Sequence, residues 1–186
     1  KIKENFNELN SLEKYRLLED TWKSVTIGKF SINEFLEFLP IYKSERDPNI
    51  WAYIAGIISS LSKILPNDSN VSFVNYFNEL IDSIKNDLGK EIKDSDSMEI
   101  KELRATVNKL IGTIENEESF VDFYSSKFKD GSIENIEDGS LYNTTLYVSA
   151  LDPEIKIEHF LEKFLNAGSP QICLLYTSPS PRDSDS

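Results

Sequence analysis

His159, the one histidine in the chain, is the first side chain whose type could do chemistry. A histidine acting as general base needs a nucleophile and an orienting carboxylate within hydrogen-bond reach. The segment Ile157-Glu158-His159-Phe160 positions neither, so the imidazole reads as a solvent-facing group on an amphipathic helix. Glu19 and Asp20 are adjacent carboxylates, but neighbouring helix positions diverge by about 100° and do not share a site. Glu45, Arg46 and Asp47 make a compact charged turn. It could serve as an ion-pair latch or as part of a substrate rim, or it could simply be a solvated loop that caps the following helix through Asp47. Glu115, Glu117 and Glu118 fit the start of a helix, where acidic side chains complement the macrodipole.

Other chemistries are excluded by count. A His-Glu-x-x-His zinc site needs two histidines, and a structural zinc site needs four Cys or His ligands. The chain has one His and one Cys, Cys173, which also rules out an intrachain disulfide. Its seven glycines are scattered, so no phosphate-cradling loop can be assembled. Asn67-Asp68-Ser69, Asn70-Val71-Ser72 and Asn143-Thr144-Thr145 match the glycosylation sequon, which carries no weight without secretion. Trp22, Trp51 and most Phe and Tyr residues recur at helical spacing and read as core. No catalytic, cofactor-binding or metal-binding residue is assigned.

The elements that would position such groups are helical. The chain has 186 residues, 39% hydrophobic and 28% charged, which is enough apolar side chain to bury a core. Twenty basic residues against 32 acidic give a net charge of −12, which argues against a nucleic-acid surface. The longest apolar run, Ile50 to Ile58, falls far short of the ~18 residues that cross a bilayer. Nothing at Lys1 resembles a signal peptide, so a cytoplasmic location with no membrane partner is expected. The chain starts without Met and reads as a fragment cut at both ends.

Residues 173–186 differ from the rest. Ser and Pro crowd Thr177-Ser178-Pro179-Ser180-Pro181, and Cys173 to Asp183 resembles the translation of a transposase-type sequencing adapter. The expected division is a helical domain over 1–172 and an artefactual or disordered tail over 173–186. Without the tail the charge is still −11.

Within 1–172, Phe6 and Leu9 mark the end of a first helix. Ser11 is the expected cap of the next, which carries Leu12, Tyr15, Leu18, Trp22 and Val25 and closes at Gly28. Ser31-Ile32-Asn33-Glu34 fits a capping box for a helix stopped by Pro40. Asp47-Pro48 opens a helix bearing Ile50, Trp51, Ile54, Ile58, Leu61 and Leu65 that ends before Pro66, with Ile57 and Ile64 widening its apolar surface. A stripe of Val74, Phe77, Leu80, Ile81, Ile84 and Leu88 predicts a helix from Asn70 to Leu88, ended by Gly89. After a polar loop over Lys90 to Asp96, further helices are marked by Ile100 to Ile111 and by Phe120 to Phe128, the latter closing near Gly131. Leu141 to Leu151 favours a strand by propensity, but a lone strand in a helical chain has no partner, so helix is expected. Pro153 opens the last helix through Phe160, Leu161, Phe164 and Leu165, with Gly168 after it. Helices of this length joined by short loops predict an all-α fold of antiparallel hairpins stacked as an α-solenoid, with a closed bundle as the competing arrangement.

Two segments carry a resemblance. Tyr15-Arg16-Leu17-Leu18-Glu19-Asp20-Thr21-Trp22, continuing to Gly28, resembles the Arg-x-Leu-Leu-x-Asp-x-aromatic helix that opens the C-terminal helical domain of the aminopeptidase N family of zinc aminopeptidases. Glu45-Arg46-Asp47-Pro48-Asn49-Ile50-Trp51 resembles that domain's Glu-x-Asp-x-x-Val-Trp segment, and Leu103-Arg104 with the helix to Gly112 fits its later Leu-Arg helix more loosely. The resemblance is specific over Ser11 to Leu65 and rests on helix order from Val71 to Leu165. It implies a HEAT- or armadillo-like superhelix, similar to the C-terminal domain of the endoplasmic-reticulum aminopeptidases, that arches over an upstream catalytic domain and gates peptide access. Zinc and the Gly-Ala-Met-Glu-Asn exopeptidase motif would then belong to that upstream domain, and this part would hold no cofactor. Ser97-Met98-Glu99 is unrelated to the motif, so no family site residue transfers. The other reading is a stand-alone α-solenoid scaffold that binds a peptide or protein in its groove. A small hydrolase built on His159 is a third.

Overall fold

The computed structural model describes residues 5–64, 70–91, 93, 95–135 and 139–166. Among them lie eight α-helices and no strand, so the expected all-α class holds. The chain divides into two compact units, Lys1–Leu103 and Arg104–Ser186.

In the first unit a short 3-10 turn, Phe6–Glu8, precedes α1, Ser11–Thr26. The cap of α1 is Asn10, not Ser11. Asn10 Oδ1 accepts the Glu13 N–H at 3.0 Å, and Glu13 Oε2 accepts the Asn10 N–H at 2.9 Å. A capping box needs an acidic or amide side chain three residues after the cap. Asn10 has Glu13 there, whereas Ser11 would have Lys14. At the other end Gly28 takes the left-handed conformation (φ +72°). The Lys29 N–H then reaches the Ser24 carbonyl and the Gly28 N–H reaches that of Val25, each at 2.9 Å, which completes a Schellman closure.

Ser31 and Glu34 form the expected box for α2, Ile32–Phe38. Pro40 does not end the coil outright. The chain tightens into a 3-10 turn, Leu39–Tyr42, with Pro40 in its first turn, and this drives Leu39 and Tyr42 into the core. α3, Pro48–Ile64, buries Ile50, Trp51, Ile54, Ile57, Ile58 and Leu61. Ile64 is exposed, so the wider apolar surface expected there is not fully covered, and Leu65 and Pro66 lie outside the described residues. α4, Asn70–Leu88, buries the expected stripe apart from Val74, which is half-buried, and adds Phe73; Gly89 follows at φ +66°. Two phenols tie these elements together. Tyr42 donates to the Lys14 carbonyl at 2.9 Å, and Tyr76 donates to the Leu36 carbonyl at 2.7 Å.

The boundary between the units falls within α5, Met98–Leu110. Beyond it a π-turn, Ile111–Glu115, ends at Asn116 in the left-handed region, and α6, Glu118–Lys129, closes near Gly131 as expected. Glu118 lies in the first turn of α6 with Glu117 at its cap, but Glu115 belongs to the π-turn before it. A 3-10 turn, Ser132–Asn135, leads towards α7, Gly139–Ser149. The strand-favouring residues of α7 are helical because their polar groups are satisfied within a helical core. Thr144 Oγ1 donates to the Ala105 carbonyl and Thr145 Oγ1 to that of Leu141, both at 2.9 Å. α6 and α7 pack against each other most closely of all helix pairs among the described residues.

The last helix, α8, Ile157–Leu165, begins four residues later than expected. Asp152 competes for the backbone: its Oδ1 accepts the Glu154 N–H at 2.8 Å and its carbonyl accepts the Ile155 N–H, so Pro153 sits in a turn. Phe160 packs on a cluster of Phe128, Ile133, Tyr142, Leu146 and Ile155. Gly168 and the whole of 173–186 lie outside the described residues.

Gly112 is the closest approach in the second unit. A Cβ built there would sit 2.7 and 2.8 Å from the two Cγ atoms of Val148 on α7. Alanine gains up to ~1 kcal/mol of helix propensity, but overpacking against a stiff β-branched side chain costs ~1–3 kcal/mol. Gly112→Ala is therefore expected to lower stability by ~1–2 kcal/mol. In a Val148→Ala background the same change is expected to cost nothing, and a denaturant-melt double-mutant cycle reads the coupling.

Candidate functional site

The most densely connected polar group in the first unit is the turn Glu45-Arg46-Asp47. Glu45 Oε1 accepts the N–H groups of Arg46 at 2.8 Å and Asp47 at 3.2 Å, while its other oxygen pairs with Lys14 Nζ at 2.9 Å. Desolvation pushes this carboxyl up, but the Lys14 bond and the two backbone donors outweigh it and hold the group below the usual Glu range. Arg46 reaches α4. Its guanidinium donates to Asp87 Oδ2 and, at 2.9 Å, to Ser83 Oγ, and it also satisfies the carbonyls of Lys43 at 3.0 Å and Glu45 at 2.8 Å. Asp47 Oδ1 caps α3 by accepting from Asn49 at 2.8 Å and Ile50 at 3.3 Å. Trp51, wholly buried, donates its indole N–H to the Glu45 carbonyl at 2.8 Å.

Of the readings left open for this turn, the latch and the cap both hold, since Glu45 and Arg46 bond to neighbouring elements and Asp47 Oδ1 caps α3. Beside it lies an open cleft of about 660 Å³ lined by Leu12, Tyr15, Asp47, Asn49 and Tyr53. The rings of Tyr15 and Tyr53 stand 5.4 Å apart there. Such a cleft offers two aromatic faces and a capping carboxylate, which suits contact with an extended chain and provides no reacting group.

The other candidates are also used structurally. His159 Nδ1 accepts the Lys156 N–H at 2.9 Å, so the imidazole closes the start of α8. It lines a cavity of about 420 Å³ with Lys129, Glu154 and Glu162, and no nucleophile is held against it there. Glu19 pairs with Lys23 one helical turn on, at 3.0 Å, and not with Asp20. Of the sequons, Asn67 lies outside the described residues and Asn70 starts α4. Asn143 faces a lysine inside a packed helix pair. Trp22 is half-buried and meets Phe35 at 5.1 Å between ring centroids, as core aromatics do.

Sequence reasoning missed Lys109. This half-buried side chain of α5 donates to Asn143 Oδ1 at 3.2 Å, and its ammonium lies 3.3 Å from the centroid of the Tyr147 ring. Burial pushes the ammonium down to about 8, and no carboxylate pairs with it among the described residues. The partners come from α7, 34 and 38 residues on, so no local motif could have flagged them.

Among the described residues no group of three or more His, Cys, Asp or Glu side chains could hold a metal ion. None of the described helices is long and apolar enough to cross a membrane. A family model described as an ERAP1-like C-terminal domain matches residues 1–172. No curated protein and no solved structure matches the chain.

Proposed function

The chain belongs to the family of ERAP1-like C-terminal domains, and on that premise we propose that it is the non-catalytic cover of a zinc aminopeptidase, closing a chamber over an upstream catalytic domain of the same polypeptide. The observation that carries this reading is the family match over 1–172, joined to a fold whose polar clusters are spent on holding helices together. In this reading the zinc and the reacting groups lie upstream. A chain with a single histidine offers no donor set of its own for that metal.

Stacking of the helices into a HEAT-like superhelix would give the cover a concave face, which excludes water and limits substrate size. A net charge of −12 would draw in the amino terminus of a peptide. Closure of such a cover would be a rigid-body or hinge motion that gates turnover.

The purified chain is expected to release no amino acid from leucine p-nitroanilide, with or without added zinc; zinc-dependent turnover would overturn the proposal. Deleting this domain from the parent polypeptide is expected to spare dipeptide cleavage while flattening the dependence on peptide length.

A second reading draws on α8, whose Ile157, Leu161 and Leu165 are exposed at helical spacing. A stand-alone scaffold could seat an amphipathic partner helix on that stripe. The upstream coding sequence separates the two. A His-Glu-x-x-His and a Gly-Ala-Met-Glu-Asn segment there support the cover, and a start codon close before Lys1 supports the scaffold.

A further inference from the structure

We propose that Lys109 is a nucleophilic amine that captures short-chain acyl groups from acyl phosphates, making it a modification site within the second unit. The geometry differs from that of the paired lysines. Lys14 faces Glu45, Lys23 faces Glu19, and Lys129 faces both Asp152 and Glu154. Lys109 is half-buried, with an amide oxygen at 3.2 Å and an aromatic face at 3.3 Å. These contacts orient Nζ, and the ring face favours the ammonium, but neither supplies a full negative charge to hold its proton. Burial is what lowers its proton affinity, and no charged side chain of α6, α7 or the π-turn adds to that effect among the described residues. An amine with a midpoint of about 8 is partly neutral at pH 7.5, whereas an ordinary lysine is almost wholly protonated.

The amine is also accessible. Lys109 lines an open cleft of about 330 Å³ with Thr106, Ser140 and Asn143, and Gly139 at the start of α7 borders it. The cleft is open to solvent and at the small end of ligand sites, room enough for a compact acyl phosphate. The hydroxyls of Thr106 and Ser140, with the positive end of α7, favour an anionic leaving group. In the reaction Nζ first gives one ammonium proton to water. Its lone pair then forms the C–N bond to the acyl carbon, and the bond from that carbon to the phosphate oxygen breaks. Phosphate leaves with the electron pair, and a second proton goes to water. The amide product keeps one N–H, enough to go on donating to Asn143 Oδ1. It loses the cation over Tyr147 but also a charge that burial disfavours.

The test treats the whole chain with millimolar acetyl phosphate and follows every lysine by site-resolved mass spectrometry. At pH 7.5 Lys109 is expected to be acetylated roughly ten-fold faster than the exposed Lys29 and Lys63, a figure reduced for its partial burial. Its rate is expected to level off just above pH 8, and its advantage is expected to vanish in 8 M urea. Labelling that ranks by exposure, a Lys109 rate still climbing at pH 10, or a preference that survives urea would each overturn the proposal. Lys109→Arg keeps the charge and should remove the fast site while leaving the circular dichroism unchanged. If that variant fails to fold, the site-resolved rates of the unaltered chain still decide.

Discussion

Trp51→Ala is expected to lower the unfolding free energy by ~3–5 kcal/mol, the range for removing a large aromatic from a packed core. Two losses combine. The indole is wholly buried in the core face of α3, so its removal leaves a cavity the neighbours can only partly fill. Its N–H is also the donor to the Glu45 carbonyl, in the turn that reaches Lys14 on α1 and Asp87 on α4. Trp51→Phe separates the terms. It keeps much of the volume and drops the donor, and it is expected to cost ~1–2 kcal/mol. Urea midpoints read both. Equal losses in the two variants would mean that the hydrogen bond dominates, and a Trp51→Ala loss below ~1 kcal/mol would remove Trp51 as the centre of this unit.

That centre was legible as two neighbouring facts, a charged turn and an aromatic at helical spacing, but their connection was not. Asp47-Pro48 announces a helix start because cap and proline act locally, and the structure has both. Arg46 reaching Ser83 and Asp87 depends on how α4 lies beside the turn, which no spacing within residues 45–51 encodes. The same limit hid Lys109. Its partial burial exists only because the face of α7 carrying Asn143 and Tyr147 meets α5.

The local errors have local causes. Asn10 and Ser11 can both cap, and what selects Asn10 is Glu13 three residues on, a signal the sequence itself carries. Pro153 can begin a helix, but Asp152 before it can also close a turn on Glu154, and the turn prevails because it lets Ile155 bury. α7 went the other way. Its β-branched residues favour a strand as a type, and the helix stands because Thr144 and Thr145 find carbonyl acceptors and the apolar face finds α6. Tertiary contact overrides a propensity worth at most ~1 kcal/mol across its scale.

Glu45→Gln is expected to cost ~2 kcal/mol at pH 7, because hydrogen bonds to a charged acceptor are worth more than neutral ones and Lys14 loses its counter-charge in a poorly solvated place. Glutamine keeps one acceptor oxygen, so the backbone donors of Arg46 and Asp47 retain a partner while the ionic part is removed. The pH profile identifies that part. A carboxyl held below its ordinary value contributes its full stabilisation above about pH 4.3 and loses it as pH falls through the lower, native value. The unaltered chain should therefore lose stability more steeply than Glu45→Gln below pH 4.3, and the two urea midpoints should converge in acid. Parallel profiles from pH 7 to pH 3 would mean that Lys14 and the turn hold Glu45 by shape alone. Convergence would mark the carboxylate as the charge that fixes the turn between α1 and α3, and with it one wall of the Tyr15–Tyr53 cleft.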